Sequence, residues 1–153
     1  MKMSGLTNKY VERLGNQYLK TFVGVYPCDI QPNVGEGEIF SIIFNESKHN
    51  EEGTHFVAIY ANKRYLYYFD SLGLKLENKY IEMFCGLQGR QLIESKKQVQ
   101  SFDSLFCGYF CISFLMFMEK IGYFSRFFEC FSKTDLNMNN KIAVELIINL
   151  AKM

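Results

Sequence analysis

Tryptophan is absent from the 153 residues, and proline and histidine occur only twice each. Without Trp, the aromatic share of 16% rests on 15 Phe and 10 Tyr, which predicts a bulky core. No repeat or low-complexity segment interrupts the chain. Long apolar runs are missing too. The longest uncharged one, Ser104 to Met118, contains Cys and Gly and falls short of the roughly 20 apolar residues of a membrane span, so no membrane association is expected. The opening stretch MKMSGLTNKYVERLGN has no apolar core of the kind a signal peptide needs. Charge bias is also lacking: 17 basic residues stand against 16 acidic ones, for a net charge of +1. Obligate nucleic-acid binding needs a concentrated basic face and is not indicated, although Lys96 and Lys97 form a local basic spot that could touch an anion.

The length and the 48% apolar content suit one globular domain over residues 1–153. Thr7 can cap a helix in which Tyr10, Val11, Leu14 and Tyr18 recur at three- to four-residue steps. From Phe22 to Glu38 the Gly, Pro, Asp and Asn content reads as turns and irregular backbone. Three strand-like runs follow: Ile39 to Asn45, almost continuously apolar, then Thr54 to Ala61 and Arg64 to Asp70, rich in β-branched and aromatic residues. The Asn62-Lys63 link makes the last two a hairpin. A helix is predicted from about Leu76 to Leu87 and a short strand around Arg90 to Ile93. Further helices are predicted from Cys107 to about Ile121, from about Phe124 to Phe131, and from Asn139 to Met153, the last capped by Asn139 or Asn140. The class is α+β, with a small central sheet between helices.

Five cysteines, an odd number, predict free thiols and a reducing compartment. Cys107 and Cys111 are close enough for half of a structural zinc site. Cys28, Cys85 and Cys130 are isolated and no second pair exists, so no metal is expected. A disulfide between Cys107 and Cys111 within one helix is disfavoured by geometry and compartment. Cys111, flanked by Phe110 and Ile112, reads as a small buried hydrophobe. Cys107 stands where a polar stretch gives way to the apolar helical pattern. There the positive end of the helix dipole lowers a thiol's pKa, and Gly108 removes a side chain where a substrate backbone has to approach. Taken alone, that position suits a nucleophile or a core thiol.

A cysteine nucleophile needs a base, and the base an orienting group. His49 lies in the polar stretch ESKHNEEGT and reads as a surface residue; His55 opens an apolar strand after a Gly. With Asn62 and Lys63 at the turn, the hairpin register sets Asp70 opposite His55, although Asp70 also suits a turn before Ser71-Leu72-Gly73. The Cys107 backbone N–H supplies one oxyanion donor, and a side-chain amide, Gln98 or Gln100, supplies another.

Three blocks, GTHFVAIY, YLYYFDSLG and VQSFDSLFCGYFCISFL, closely resemble those of the adenovirus maturation protease (adenain) family, and more distantly those of the ubiquitin-like-protein proteases. Gly53, His55 and Phe56 match the His block, and Tyr67 to Gly73 the acid block. Val99-Gln100, the six residues Ser101 to Phe106, and Cys107-Gly108-Tyr109-Phe110-Cys111 match the nucleophile block. The likeness is strong over residues 53–73 and 99–115, weaker from Leu14 to Asn45, and absent beyond about residue 120. Phe56 stands where the family has Trp, Asp70 where adenoviral enzymes have Glu, and the segment from acid to nucleophile is shorter.

The resemblance implies a cysteine-protease fold with a small mixed sheet and the nucleophile at the N-terminus of a buried helix. It implies a monomeric thiol endopeptidase with Cys107, His55, Asp70 and Gln100 as catalytic residues and Gly53, Phe56 and Gly108 along the substrate. Gln100 is the amide its spacing selects, and Cys111 takes the place of the family's non-catalytic cysteine. The implied substrate is a viral capsid or core precursor, cleaved near small residues in an infected cell's cytoplasm or viral factory, with the enzyme packaged in the virion. The implied source is a virophage, a Polinton-type element or a related DNA virus. No cofactor is expected, and neither the adenoviral peptide nor DNA is carried over as an activator. The alternatives are a ubiquitin or ubiquitin-like deconjugating protease and an inactive binding module of the same fold.

Overall fold

The computed structural model describes residues 6–51 and 55–153. Element order is α1 (Asn8–Tyr18), β1 (Phe22–Pro27), β2 (Phe40–Asn45), β3 (Phe56–Ala61), β4 (Tyr65–Phe69), α2 (Lys79–Leu87), β5 (Gln91–Glu94), α3 (Cys107–Lys120), α4 (Phe124–Glu129) and α5 (Met138–Ala151). The class is α+β. The strands form one mixed sheet in the order β1-β2-β3-β4-β5, antiparallel in the middle, with β1 and β5 parallel to their neighbours.

Both faces of this sheet are covered, so β2 is buried along its whole length and reads as a continuous apolar run. On one face Val57, Ile59, Leu66 and Tyr68 meet Ile81, Phe84 and Cys85 of α2. On the other, Ile43, Ala58 and Phe69 meet α3, whose residues from Phe110 to Met118 are all buried. A helix apolar all round belongs inside a protein. Phe69 stacks on Phe114 at 4.6 Å between centroids, and Phe127 packs edge-on to both rings. None of the helices is long and apolar enough to cross a membrane among the described residues.

Thr7 caps α1 as predicted, its hydroxyl accepting from the Tyr10 N–H at 3.2 Å. The Phe22–Glu38 stretch, in contrast, begins with strand β1. Phe22, Val23, Val25 and Tyr26 are strand formers; Gly24, at a bulge in the pairing with β2, and Pro27 at the strand end hid them. α2 starts at Lys79 rather than Leu76, because Asn78 caps it by accepting from Tyr80 and Ile81. Asn139 caps nothing. It is fully buried inside α5, donating to the carbonyls of Val99 and Ser132 and accepting from the Ser132 N–H.

The β3–β4 hairpin turns on Lys63-Arg64, one residue later than the sequence suggested. Asn62 fixes that position: its side chain accepts from the N–H groups of Arg64 and Tyr65, and its own N–H donates to the Tyr65 carbonyl. Moving the turn by one residue moves the register by two, so Ala58 pairs with Phe69 and Ala61 with Leu66. Side-chain faces are preserved under a two-residue shift, but Asp70 is no longer directly opposite His55.

Candidate active site

His55 lies just before β3, with its carbonyl accepting from the Glu46 N–H at 2.9 Å, which ties it to the end of β2. Asp70 follows the last residue of β4. Their side chains meet on a diagonal of the hairpin: His55 Nε2 is 2.8 Å from Asp70 Oδ1. Both are withdrawn from water, the imidazole 13% and the carboxylate 2% exposed. Asp70 is itself held, because Oδ1 also accepts from the Leu72 N–H, and the turn closes with the Gly73 N–H on the Asp70 carbonyl.

The Cys107 thiol lies near enough to the same imidazole to act on its protonation. Burial pulls the His55 pKa down. The hydrogen bond to Asp70, then that to Cys107, and the negative charge of both outweigh it and raise the value from 6.5 to about 10. An imidazolium that persists at neutral pH is the form that pairs with a thiolate.

Cys107 is the first residue of α3, and no side chain caps that helix. Among the described residues no acceptor meets the Cys107 backbone N–H, one of the orphan donors of a helix start. Gln100 is buried, donating from Nε2 to the Ser104 carbonyl at 3.0 Å and accepting at Oε1 from the Ser71 hydroxyl. Its backbone N–H donates to the Ser71 carbonyl at 2.9 Å. Gln98, the other amide considered, donates to the Gln100 carbonyl instead and so buttresses it.

Cys111 is fully buried, and burial, reinforced by the charges of Cys107, Asp70 and Glu46, pushes its thiol well above the ordinary range. Cys107 and Cys111 are both free thiols, and among the described residues no three His, Cys, Asp or Glu side chains gather as a metal would require. His49, on the surface as expected, pairs with Asp29.

Two of the expected substrate contacts lie in close packing. A Cβ on Gly108 would meet Val11 Cγ2 at 2.9 Å and Leu6 Cδ1 at 3.2 Å, so the missing side chain makes room for α1 and the residue stretch just before it. Phe56 is 6% exposed and packs within the α3-side core. Gly53 lies outside the described residues.

Sequence reasoning passed over two residues here. Ser71 was read only as a turn residue after the acid. Glu46, beside the dyad, is a half-buried carboxyl whose pKa is raised, first by burial and also by the charge of Asp70, against a lowering by His55. Only its place at the end of the strand next to the His strand hinted at this.

The chain matches no protein-family model and no curated protein.

Proposed function

We propose that this protein is a cysteine endopeptidase of the adenain type that cleaves viral capsid or core precursors. One observation carries the reading: a single buried imidazole is hydrogen-bonded to Asp70 and lies near enough to a thiol at a helix start for that thiol to help raise its pKa. Structural ion pairs also shift pKa values, but a surface or core pair has no reason to include a cysteine.

In the proposed reaction the Cys107 thiolate attacks the scissile carbonyl carbon, and the carbonyl π pair moves onto oxygen. Gln100 Nε2–H and the Cys107 N–H receive that oxyanion. As it collapses, the C–N bond breaks and the His55 imidazolium gives its proton to the departing amine. Neutral His55 then takes a proton from water, the hydroxide adds to the thioester, and the acid leaves with the thiolate regenerated. Asp70 holds the ring in place throughout. The viral substrate rests on the sequence resemblance, which spans the blocks carrying all four residues.

The test is mass spectrometry of purified capsid precursor after incubation with the enzyme or its Cys107→Ala variant. Discrete fragments in the first sample only are expected. An intact precursor alongside rapid labelling by ubiquitin-like C-terminal probes would instead assign the same chemistry to a deconjugating protease. Neither cleavage nor probe labelling, with Cys107 reacting with iodoacetamide at pH 6 no faster than a model thiol, would leave a binding module.

A further inference from the structure

A side-chain amide donates from nitrogen and accepts at oxygen, so an oxyanion donor of this kind works only if its two ends are held the right way round. Gln100 has that constraint built around it. The Ser104 carbonyl can only accept, which requires Nε2 on its side. That leaves Oε1 for a donor, and the Ser71 hydroxyl is the donor there. Ser71 and Gln100 are both buried, at 0% and 1% exposure, so water does not replace this contact. The Ser71 carbonyl also accepts from the N–H groups of both Val99 and Gln100, at 2.9 Å each.

Ser71 directly follows Asp70. One short turn therefore carries the group that holds the His55 ring and the group that holds the Gln100 amide. The second Nε2 hydrogen of Gln100 has no acceptor among the described residues. A donor fixed by two contacts, with its last hydrogen unspent, is preorganised for charge that exists only during reaction.

We propose that Ser71 is a positioning residue: its hydroxyl locks the Gln100 amide with one N–H free for the oxyanion. The proposal rests on the protease reading. Alkylation of Cys107 by iodoacetamide needs the thiolate but forms no oxyanion, whereas acylation by N-acetylglycine p-nitrophenyl ester forms one, as sulfur adds and p-nitrophenolate leaves. The two rates separate the nucleophile from the oxyanion site.

Ser71→Ala is expected to acylate roughly 10- to 100-fold more slowly, short of the roughly 100- to 1000-fold typical of deleting a donor. Its alkylation rate should stay within about twofold of wild type. Adding Ser71→Ala to Gln100→Ala should cost acylation no more than about twofold further, since the hydroxyl then has nothing to orient. Ser71→Thr keeps the hydroxyl but adds a methyl group to a filled site. It should lose thermal stability yet acylate within about threefold of wild type, which a purely packing role does not allow. Wild-type acylation in Ser71→Ala, matching losses of alkylation and acylation, or a Thr variant as slow as the Ala variant would overturn the assignment. A wild-type Cys107 that neither acylates nor alkylates faster than a free thiol would overturn the protease reading itself, and Ser71 with it.

Discussion

His55 and Asp70 meet at 2.8 Å although the hairpin does not pair them. Extending the register of β3 and β4 would set Val57 against Asp70, so the contact runs diagonally, within reach of a side chain as long as imidazole. The dyad therefore depends on where the hairpin turns. It is Asn62, the residue that fixes the turn, that sets the two groups in place from the far end of the strands.

If this dyad activates Cys107, then Cys107→Ala and His55→Ala abolish precursor cleavage, and Asp70→Asn reduces it by at least about 100-fold. His49→Ala, on an exposed residue paired with Asp29, leaves cleavage within about twofold. Gel-based rates on the four variants check this, and an equal loss in His49→Ala would sink the base assignment.

The raised His55 pKa fixes the alkaline side of the pH profile. Unfolded, the imidazole titrates near 6.5; folded, near about 10. The charged ring is thus favoured in the folded state, and its stabilisation is complete below about 6.5 and lost as pH rises through about 10. Cleavage should fall on the same limb, because the proton for the leaving amine is gone. Removing the first of the two raising hydrogen bonds by Asp70→Asn moves the residual activity's limb to lower pH. Urea unfolding at pH 7 and pH 10 should show the gap between wild type and His55→Gln narrowing at the higher pH.

Cys111 should behave as core. Its thiol is fully buried and held protonated, so iodoacetamide leaves it unlabelled in the native protein at pH 8. Cys111→Ala remains active but loses roughly 1–2 kcal/mol on chemical denaturation, from the deleted sulfur and whatever space does not close. Peptide mapping after alkylation distinguishes the two cysteines directly.

What could be read from the sequence was set by local rules. Side-chain alternation survives a two-residue register error, so His55 and Asp70 fell on the same side of the hairpin even with the turn misplaced. Thr7 announced α1 because a cap is a local hydrogen bond. What escaped was non-local. β1 is a strand because β2 pairs with it, against the turn signals of Gly24 and Pro27. Asn139 looks like a cap in sequence, yet its partners include the Val99 carbonyl, 40 positions away. Gly108 gave no local sign that Val11 and Leu6 pack against it. Ser71 could not be tied to Gln100 until both were seen to be buried together.

That packing makes Gly108→Ala a test of helix docking. The new methyl group would sit 2.9 Å from Val11 Cγ2, so α1 has to move off α3 or the side chain has to rotate. A loss of about 1–3 kcal/mol is expected, with much of it recovered in the Gly108→Ala/Val11→Ala double variant, since the same space is then shared. A substrate-clearance role predicts a raised KM at unchanged stability, with no recovery from Val11→Ala.

Gly73 joins the acid turn to the oxyanion loop through backbone alone. Its φ of +75° favours glycine, and a Cβ there would stand 2.7 Å from the Gln98 nitrogen and 2.9 Å from its Cα. Neither obstacle is a flexible side chain, so Gly73→Ala has to displace the 96–100 segment or open the turn after Asp70. Displacing that segment shifts Gln100, which hangs on the Ser71 carbonyl in the same turn. The variant should therefore lose stability by more than about 1 kcal/mol and also lose kcat well beyond what its folded fraction explains. Rates normalised to folded protein by circular dichroism at 10 °C separate the two effects. A normalised kcat equal to wild type would mean that the acid turn and the oxyanion loop are not mechanically joined at this glycine.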